Sequence, residues 1–342
     1  MKAQEESFLD ILGRPDTQFI VPIFQRVYSW KPKECEELFE DILKAGSTGG
    51  SHFIGTFLYS PCAHFDDAIK TFQIIDGQQR ATTFTLMLLA YTQWLRGTDE
   101  RGRQKADMIV NTYLTCKDSA DGANAVEPKL LLTSIDSDML SYLLGLEDKP
   151  ADISARLQEN LDTFKKLIGG SGFDGDAFWR GCELLHVISI ELEGNDSPQE
   201  VFESLNSKGK RLAVEDLIRN SILSGDMADE DMRMLYEDRW LPLEEMVEKA
   251  PGVEMEDILC SWIASNHKDV YLDSKSEVYP LFKSDVKHRF KGDYRKMIAN
   301  LKPYATMFVN DEQWRRDRLY ELDRWLQGKP RNLISERKIF GD

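Results

Sequence analysis

A short apolar strand that ends in an acid, a glycine and an arginine, directly before a long helix, constrains this chain most. The stretch Phe72–Arg80 reads Phe-Gln-Ile-Ile-Asp-Gly-Gln-Gln-Arg, and the pattern after it predicts a helix from Ala81 to about Leu95. The first N–H groups of a helix have no partner within it, and the helix dipole places partial positive charge there. This order of residues therefore predicts a site at the helix N-terminus that attracts an anion.

The side chains at this junction suit the same purpose. Gly77 lets the backbone approach a ligand closely, and Arg80 offers a forked donor that fits phosphate. Gln78 and Gln79 add neutral donors and acceptors. The spacing fits equally well a turn with an aspartate cap and a surface arginine, so the pattern alone leaves both interpretations open.

The size and composition of the chain indicate a soluble protein with two domains, or with one domain and a large appendage. It has 342 residues, of which 42% are hydrophobic, and domains of ~100–200 residues are typical. No segment approaches the ~20 uninterrupted apolar residues of a membrane span. The N-terminus lacks the apolar centre of a signal peptide. We therefore expect a cytoplasmic protein that does not contact a membrane.

Charge and cysteine content restrict the classes of function. The net charge of −16 disfavours indiscriminate binding to a polyanion. The segment from Lys283 to Asp342, however, holds fifteen Lys and Arg against nine Asp and Glu, a net of +6, which allows a local basic surface. The five cysteines contain no CxxC pair, so neither a disulfide framework nor a zinc site is expected.

Periodicity predicts an α+β region followed by an all-helical one. Strands and helices alternate before residue 225, and segments 52–60 and 71–75 are expected to form a hairpin. The predicted strands are 17–23, 52–60, 71–75, 129–133 and 184–192, and the predicted helices there are 7–13, 33–44, 81–95, 104–116, 136–146, 152–168, 198–205 and 213–223. The helices predicted after it are 229–248, 254–267, 275–289, 293–308 and 311–327.

Two further stretches carry polar residues that suit a ligand. Gln25 and Arg26 lie among the aromatic residues that follow the first predicted strand, where Arg26 is either a second cation for the anion site or a surface arginine beside an aromatic core. Asn206 and Lys210 lie in a polar, basic junction between two predicted helices. That junction is either a ligand loop or an ordinary helix–helix turn.

Four motifs occur together in a fixed order. They are Gln25-Arg26 with Tyr28 and Trp30, then His52-Phe53-Ile54-Gly55, then Asp76-Gly77-Gln78-Gln79-Arg80, and finally Phe202-Glu203-Ser204-Leu205-Asn206-Ser207-Lys208-Gly209 with a downstream Asp216-Leu217-Ile218. Together they closely resemble the GmrSD-type N-terminal domain family, which is also known by its DGQQR motif. The resemblance spans roughly residues 7–225.

This resemblance implies a fold, an activity and partners. The fold would be a ParB/sulfiredoxin-like α+β core with a small mixed sheet over residues 1–225, followed by a helical linker or support domain over 226–342. Relatives hydrolyse nucleoside triphosphates in bacterial defence against phage and restrict modified DNA, and many carry a C-terminal HNH nuclease domain. None of the five histidines lies in a metal site of that kind near the C-terminus. We therefore expect the nuclease half to be missing here, either because the chain is shortened or because the nuclease is a separate subunit.

The resemblance also implies roles at the site. Asp76, Arg80, Arg26 and Gln79 would be catalytic, with Asp76 holding Mg²⁺ or orienting the attacking water. Gln25, Gly77, Gln78, Asn206 and Lys210 would bind the nucleotide. The expected partners are a nucleoside triphosphate with Mg²⁺, DNA through a longer protein or a partner, and an HNH nuclease domain or subunit, while homo-oligomerisation stays open.

Two alternatives to a hydrolase remain. The chain could bind nucleotide or a modified-DNA element without turnover and pass the signal to a nuclease. It could also be a metal-dependent nuclease of the ParB-like kind, which would require Glu203 and Asp216 to lie near Asp76. We rank this last because Asp76 is the only acid within the motif itself.

Overall fold

The chain forms two compact units, Met1–Phe202 and Glu203–Asp342. A computed structural model describes residues 1–22, 25, 27–62, 69–118, 125–151, 153–193, 196, 201, 214–223, 231, 234–267, 270, 272 and 274–327. No helix within these ranges is both long and apolar enough to cross a bilayer.

The first unit alternates strands and helices, as the periodicity predicts. Its strands are β1 (Lys2–Ser7), β2 (Thr17–Ile20), β3 (His52–Pro61), β4 (Lys70–Asp76), β5 (Thr115–Asp118), β6 (Ala125–Pro128), β7 (Leu130–Leu131) and β8 (Leu185–Glu191). Its helices are α1 (Phe8–Leu12), α2 (Pro32–Thr48), α3 (Gln78–Arg96), α4 (Glu100–Ile109), α5 (Ser134–Leu143), α6 (Ala155–Ile168) and α7 (Gly175–Glu183), with a π-helical segment over Val110–Leu114.

Six of these strands form one mixed sheet in the order β1-β8-β3-β4-β2-β7. The β3–β4 pair is antiparallel, which confirms the predicted hairpin, and β3 also pairs in parallel with β8. A register shift between Phe53 and Thr56 interrupts the β3–β8 pairing. β5 and β6 form a separate antiparallel ribbon. The predicted α+β core with a small mixed sheet is therefore confirmed.

Helix α3 is the central helix of the first unit. Most of its side chains are buried, from Gln79 to Leu95, and they lie on every side of the helix. A helix that is apolar all round requires packing partners on all sides. Phe84 packs edge-on against Phe8, and Phe8 does the same against Phe57 of β3. Because α3 begins directly after β4, this packing fixes the strand–helix junction in the core.

Three elements depart from the predictions. The helix predicted over 104–116 ends at Ile109, and after the π-helical segment the chain becomes strand β5 at Thr115. β1 was not predicted because its sequence is polar and lacks an apolar alternation. Helix α7 is not among the predicted helices, and the Asp174 side chain caps it by accepting from the amides of Asp176 and Ala177.

The described part of the second unit is helical, as expected. Its α-helices are α8 (Val214–Leu223), α9 (Leu241–Glu248), α10 (Met255–Asn266), α11 (Val278–His288), α12 (Tyr294–Asn310) and α13 (Glu312–Leu326), with a π-helical segment over Tyr236–Trp240 and a 3₁₀ turn over Lys275–Glu277. Helix α12 continues through Pro303. Of the helix predicted over 198–205 the structure describes only Val201, which is helical.

Helices α2 and α7 approach each other through facing glycines. A Cβ atom on Gly181 would lie 1.9 Å from the carbonyl oxygen of Ile42, and one on Gly46 would lie 1.7 Å from that of Ala177. Neither distance can be tolerated, and in both cases the obstacle is backbone. The two helices therefore pack at a distance that only glycine permits.

We expect Gly181→Ala to lower the free energy of unfolding by about 1–3 kcal/mol, the usual cost of overpacking. The gain in helix propensity, about 1 kcal/mol, opposes this loss only in part. Urea unfolding would measure the change. Gly50→Ala is the matched control, because its new Cβ would meet nothing closer than 3.7 Å. Equal unfolding midpoints for the two variants would contradict the close packing.

Candidate functional site

The junction between β4 and α3 brings three of the four sequence motifs together. β4 ends at Asp76, Gly77 follows with a φ of 103°, and α3 begins at Gln78. Only glycine adopts this left-handed conformation without strain. A Cβ on Gly77 would also lie 2.6 Å from the ring of Phe57. Gly77 is therefore required both by the turn and by the aromatic core beneath it.

The N-terminus of α3 presents backbone amides. Gly77 is the N-cap residue, and no side chain caps this end of the helix within the described chain. The amide of Ala81 bonds to the carbonyl of Gly77, so regular helical bonding starts there. The amides of residues 78–80 precede it in the first turn, where an anion is favoured.

The Arg80 side chain turns towards strand β3. Its Nη1 donates to the carbonyl oxygen of Ile54 at 2.7 Å, and its Nη2 donates to that of Thr56 at 2.5 Å and to Oδ2 of Asp76 at 3.3 Å. These carbonyls lie at the register shift of β3. Burial lowers the pKa of Arg80 below its ordinary value, against the opposing effect of Asp76. Three of its five N–H groups thus bind the protein itself.

Gly55 completes this arrangement between the two carbonyls. Its φ is 106°, and an added Cβ would lie 2.7 Å from Nη1 of Arg80. The glycine in the His52–Gly55 motif therefore makes room for the guanidinium. The described polar contact of the His52 side chain is with a residue outside the junction, since its Nε2 lies 3.3 Å from Oδ2 of Asp41 at the surface.

Gln25 and Gln78 bond to each other across the junction. Nε2 of Gln78 donates to Oε1 of Gln25 at 2.8 Å, and Nε2 of Gln25 donates to the carbonyl of Ile75 at 2.9 Å. Gln25 is buried, whereas Gln78 is partly exposed. The pair ties the segment after β2 to the end of β4.

Gln79 fastens the next part of the same segment. Its Oε1 accepts from the backbone amide of Ser29 at 2.9 Å, and its Nε2 donates to the carbonyl of Val27 at 3.2 Å. The side chain is buried. Gln79 therefore stabilises the backbone of this segment, and its described contacts are with protein groups.

Tyr28 and Trp30 anchor this segment in the interior. The Tyr28 hydroxyl lies 2.7 Å from the Thr83 hydroxyl and accepts from Nδ2 of Asn160, which also donates to the carbonyl of Trp30. The amide of Tyr28 donates to Asp136. Burial raises the pKa of the Tyr28 hydroxyl well above its ordinary value, so it remains a neutral hydroxyl.

Sequence reasoning missed the supports on helices α5 and α6. Asn160 is completely buried between Leu157, Leu161 and Phe164, and Asp136 is also buried. The usable signal for Asn160 was an amide on the apolar face of a predicted helix. Such a residue requires a buried hydrogen-bond partner. The sequence does not reveal that the partner is the segment after β2.

Several predicted site residues fall elsewhere. Arg26, Glu203, Asn206 and Lys210 lie outside the described residues. Asp216 is on α8 in the second unit, where its Oδ1 lies 3.4 Å from Nη1 of Arg219. The described part of the site therefore consists of Gln25, Asp76, Gly77, Gln78, Gln79 and Arg80.

Asp76 is the residue at this junction that fits a magnesium ion. Mg²⁺ bound with a nucleotide takes one or two carboxylates together with phosphate oxygens. The Asp76 side chain is 29% exposed, so it is accessible while it also bonds to Arg80. Across the described ranges, no group of three or more His, Cys, Asp or Glu residues is placed to hold a metal ion by itself.

The arrangement suits the binding of an anion beside a carboxylate. The helix amides supply positive partial charge, Gly77 permits the turn before them, and the glutamines and Arg80 keep the backbone in place. The helix amides would contact a ligand, whereas the glutamines and Arg80 shape the site.

Comparison with known protein families matches residues 8–223 to the GmrSD restriction endonuclease, N-terminal domain. The match covers more than half of the chain and contains all four motifs. A search of curated proteins returned no match.

We expect Arg80→Gln to lower the free energy of unfolding by about 2–4 kcal/mol, because it removes charge-assisted bonds and leaves two carbonyls in β3 without their donor. Chemical denaturation would measure this loss. Arg96→Gln is the control on the same helix: its ion pair with Asp107 is exposed, so the change should stay below about 0.5 kcal/mol. Equal stability of the two variants would exclude the bracing role of Arg80.

Proposed function

The chain belongs to the GmrSD restriction endonuclease N-terminal domain family, and from that premise we propose that it binds and hydrolyses a nucleoside triphosphate. Membership makes the chain a module of a restriction system. The nucleotide and its hydrolysis are the proposal, and the glycine turn before the N-terminus of α3 supports it most directly. We further propose that the module works in the cytoplasm and licenses an HNH nuclease domain or subunit.

The phosphates would bind at the first turn of α3. Backbone amides at a helix N-terminus and a preceding glycine are a common arrangement for phosphate. Gln78 is partly exposed at this position, and its amide group can contact the phosphates or the attacking water.

Two arginines would supply positive charge. Phosphoryl transfer is catalysed mainly by positioning and electrostatic stabilisation of the transferred group. Three N–H groups of Arg80 bind protein atoms and stabilise the junction. Its remaining N–H groups would contact the phosphates. Arg26 would provide the second charge, a role that rests on the motif alone.

Asp76 would hold the magnesium ion or orient the attacking water. The ion would neutralise charge on the phosphates, whose own oxygens complete its ligands. Attack by water on the terminal phosphorus breaks its bond to the bridging oxygen and releases inorganic phosphate. Asn206 and Lys210, assigned through the family motif, would close over the nucleotide.

We expect the purified protein to release phosphate from at least one of ATP, GTP, CTP and UTP in the presence of Mg²⁺, and chelation of the metal to stop release. Assays with and without duplex DNA would show whether DNA controls the rate. Binding without release in every condition would favour a nucleotide-sensing module. No binding of any nucleotide would reject the proposed function.

We expect Asp76→Asn to reduce phosphate release by about 100-fold or more, the usual scale for losing a group that acts on the reacting water. The amide oxygen can still accept from Arg80, so the fold should be retained, and circular dichroism checks this. Asp107→Asn is the control, because Asp107 is an exposed acid of the same unit. Release unchanged in Asp76→Asn would exclude Asp76 from the reaction.

A further inference from the structure

An open cavity on the second unit is lined by basic side chains. It has a volume of about 740 Å³ and lies among α8, α11, α12 and the turn between the last two. The basic residues that line it are Lys283, Lys287, His288 and Lys291. Its remaining lining includes Ser221 and Tyr294, whose hydroxyls lie 2.9 Å apart. Among the residues that the structure describes, no acidic side chain lines this cavity.

The lysines follow one side of α11 and the turn after it. Lys283 and Lys287 are one helical turn apart, and side chains at this spacing are neighbours, with Cβ atoms about 5–6 Å apart. Lys291 follows at the same interval in the turn, and all three are exposed. The lysines therefore present a row of positive charges along one edge of the cavity.

The described acids of α11 and of the start of α12 are engaged by partners other than Lys287 and Lys291. Asp285 is the only acid in α11, and it is buried with its Oδ1 3.0 Å from Nε2 of His267. Asp293 caps α12 and lies 2.8 Å from Nζ of Lys296. Neither Lys287 nor Lys291 forms an ion pair with any residue that the structure describes.

Helix stability explains only part of this pattern. Cations near a helix C-terminus interact favourably with the dipole, which accounts for Lys287 and His288. Lys283 lies in the middle of α11, with its Nζ 5.7 Å from the centre of the Tyr279 ring, so a packing role accounts for it as well, whereas Lys291 lies beyond the end of the helix. Lys291 also has a φ of 55°, a conformation that costs a residue other than glycine roughly 1–2 kcal/mol. A lysine at this position suggests a purpose other than folding.

We propose that this basic cavity binds the phosphate backbone of duplex DNA without reading its sequence. The chain belongs to a restriction-system family, and its net charge of −16 makes a local basic surface the place where a polyanion can be held. Lysines bind phosphates as point charges, and backbone contacts fix position while carrying no sequence information. This cavity belongs to the second unit, whereas the junction at Gly77 belongs to the first.

The test compares two double variants that lose the same charge. Lys287→Gln with Lys291→Gln removes charges from the cavity, and Lys249→Gln with Lys302→Gln removes exposed charges of the same unit outside it. Binding of a fluorescently labelled 20-base-pair duplex would be measured by anisotropy over a range of salt concentrations. Duplexes of two unrelated sequences would be used.

We expect the cavity variant to bind more weakly and its plot of log affinity against log salt to be shallower by about 1.8, since each phosphate contact contributes about 0.9. The control variant should retain the slope of the unaltered protein, and both sequences should bind alike. Equal slopes in the two double variants, or no binding by the unaltered protein at low salt, would overturn the proposal. Thermal unfolding would confirm that both variants are folded.

Discussion

The guanidinium of Arg80, which binds the carbonyls of Ile54 and Thr56, is the interaction on which the first unit most depends. The register shift in β3 leaves these two carbonyls pointing at the helix junction, and Arg80 provides the donors that they need. Gly55 leaves room for the guanidinium. A buried carbonyl without a donor is costly. The register shift in β3, Gly55 and Arg80 therefore depend on one another.

This arrangement changes what the DGQQR motif means physically. Gln25, Gln78, Gln79 and Arg80 all bond to backbone or to one another. The motifs that seemed to be separate ligand groups along the chain thus constitute one internal network around the first turn of α3. Its effect is to hold backbone amides and the Asp76 carboxylate in fixed positions. Preorganised dipoles of this kind bind a developing charge without having to reorganise.

The sequence predicted the junction but not the direction of its side chains. A strand ending in Asp-Gly before a long apolar helix is a local pattern, and such patterns can be recognised from spacing alone. Whether Arg80 points outward or into β3 depends on a register shift between strands far apart in sequence. Asn160 illustrates the same limit, since its partners at Tyr28 and Trp30 lie about 130 residues away.

Some elements were missed because tertiary contacts overrode local preference. Gly175 and Gly181 weaken the prediction of helix α7, yet Gly181 is required by the carbonyl of Ile42 in α2. β1 is polar because its pairing with β8 relies on backbone bonds at an edge of the sheet. The segment over 104–116 has the apolar spacing of an α-helix to its end. The π-helical segment after Ile109 interrupts that spacing, and the chain then continues as β5.

Buried and exposed cations have different roles in this acidic protein. Arg80 is largely buried and meets carbonyls, so its charge acts over short distances and shapes the junction. The lysines of α11 are exposed, and their field extends over about 8 Å at physiological salt. Acidic side chains beyond that distance are largely screened from these lysines. Overall charge therefore limits indiscriminate binding, while local charge decides where a polyanion can bind.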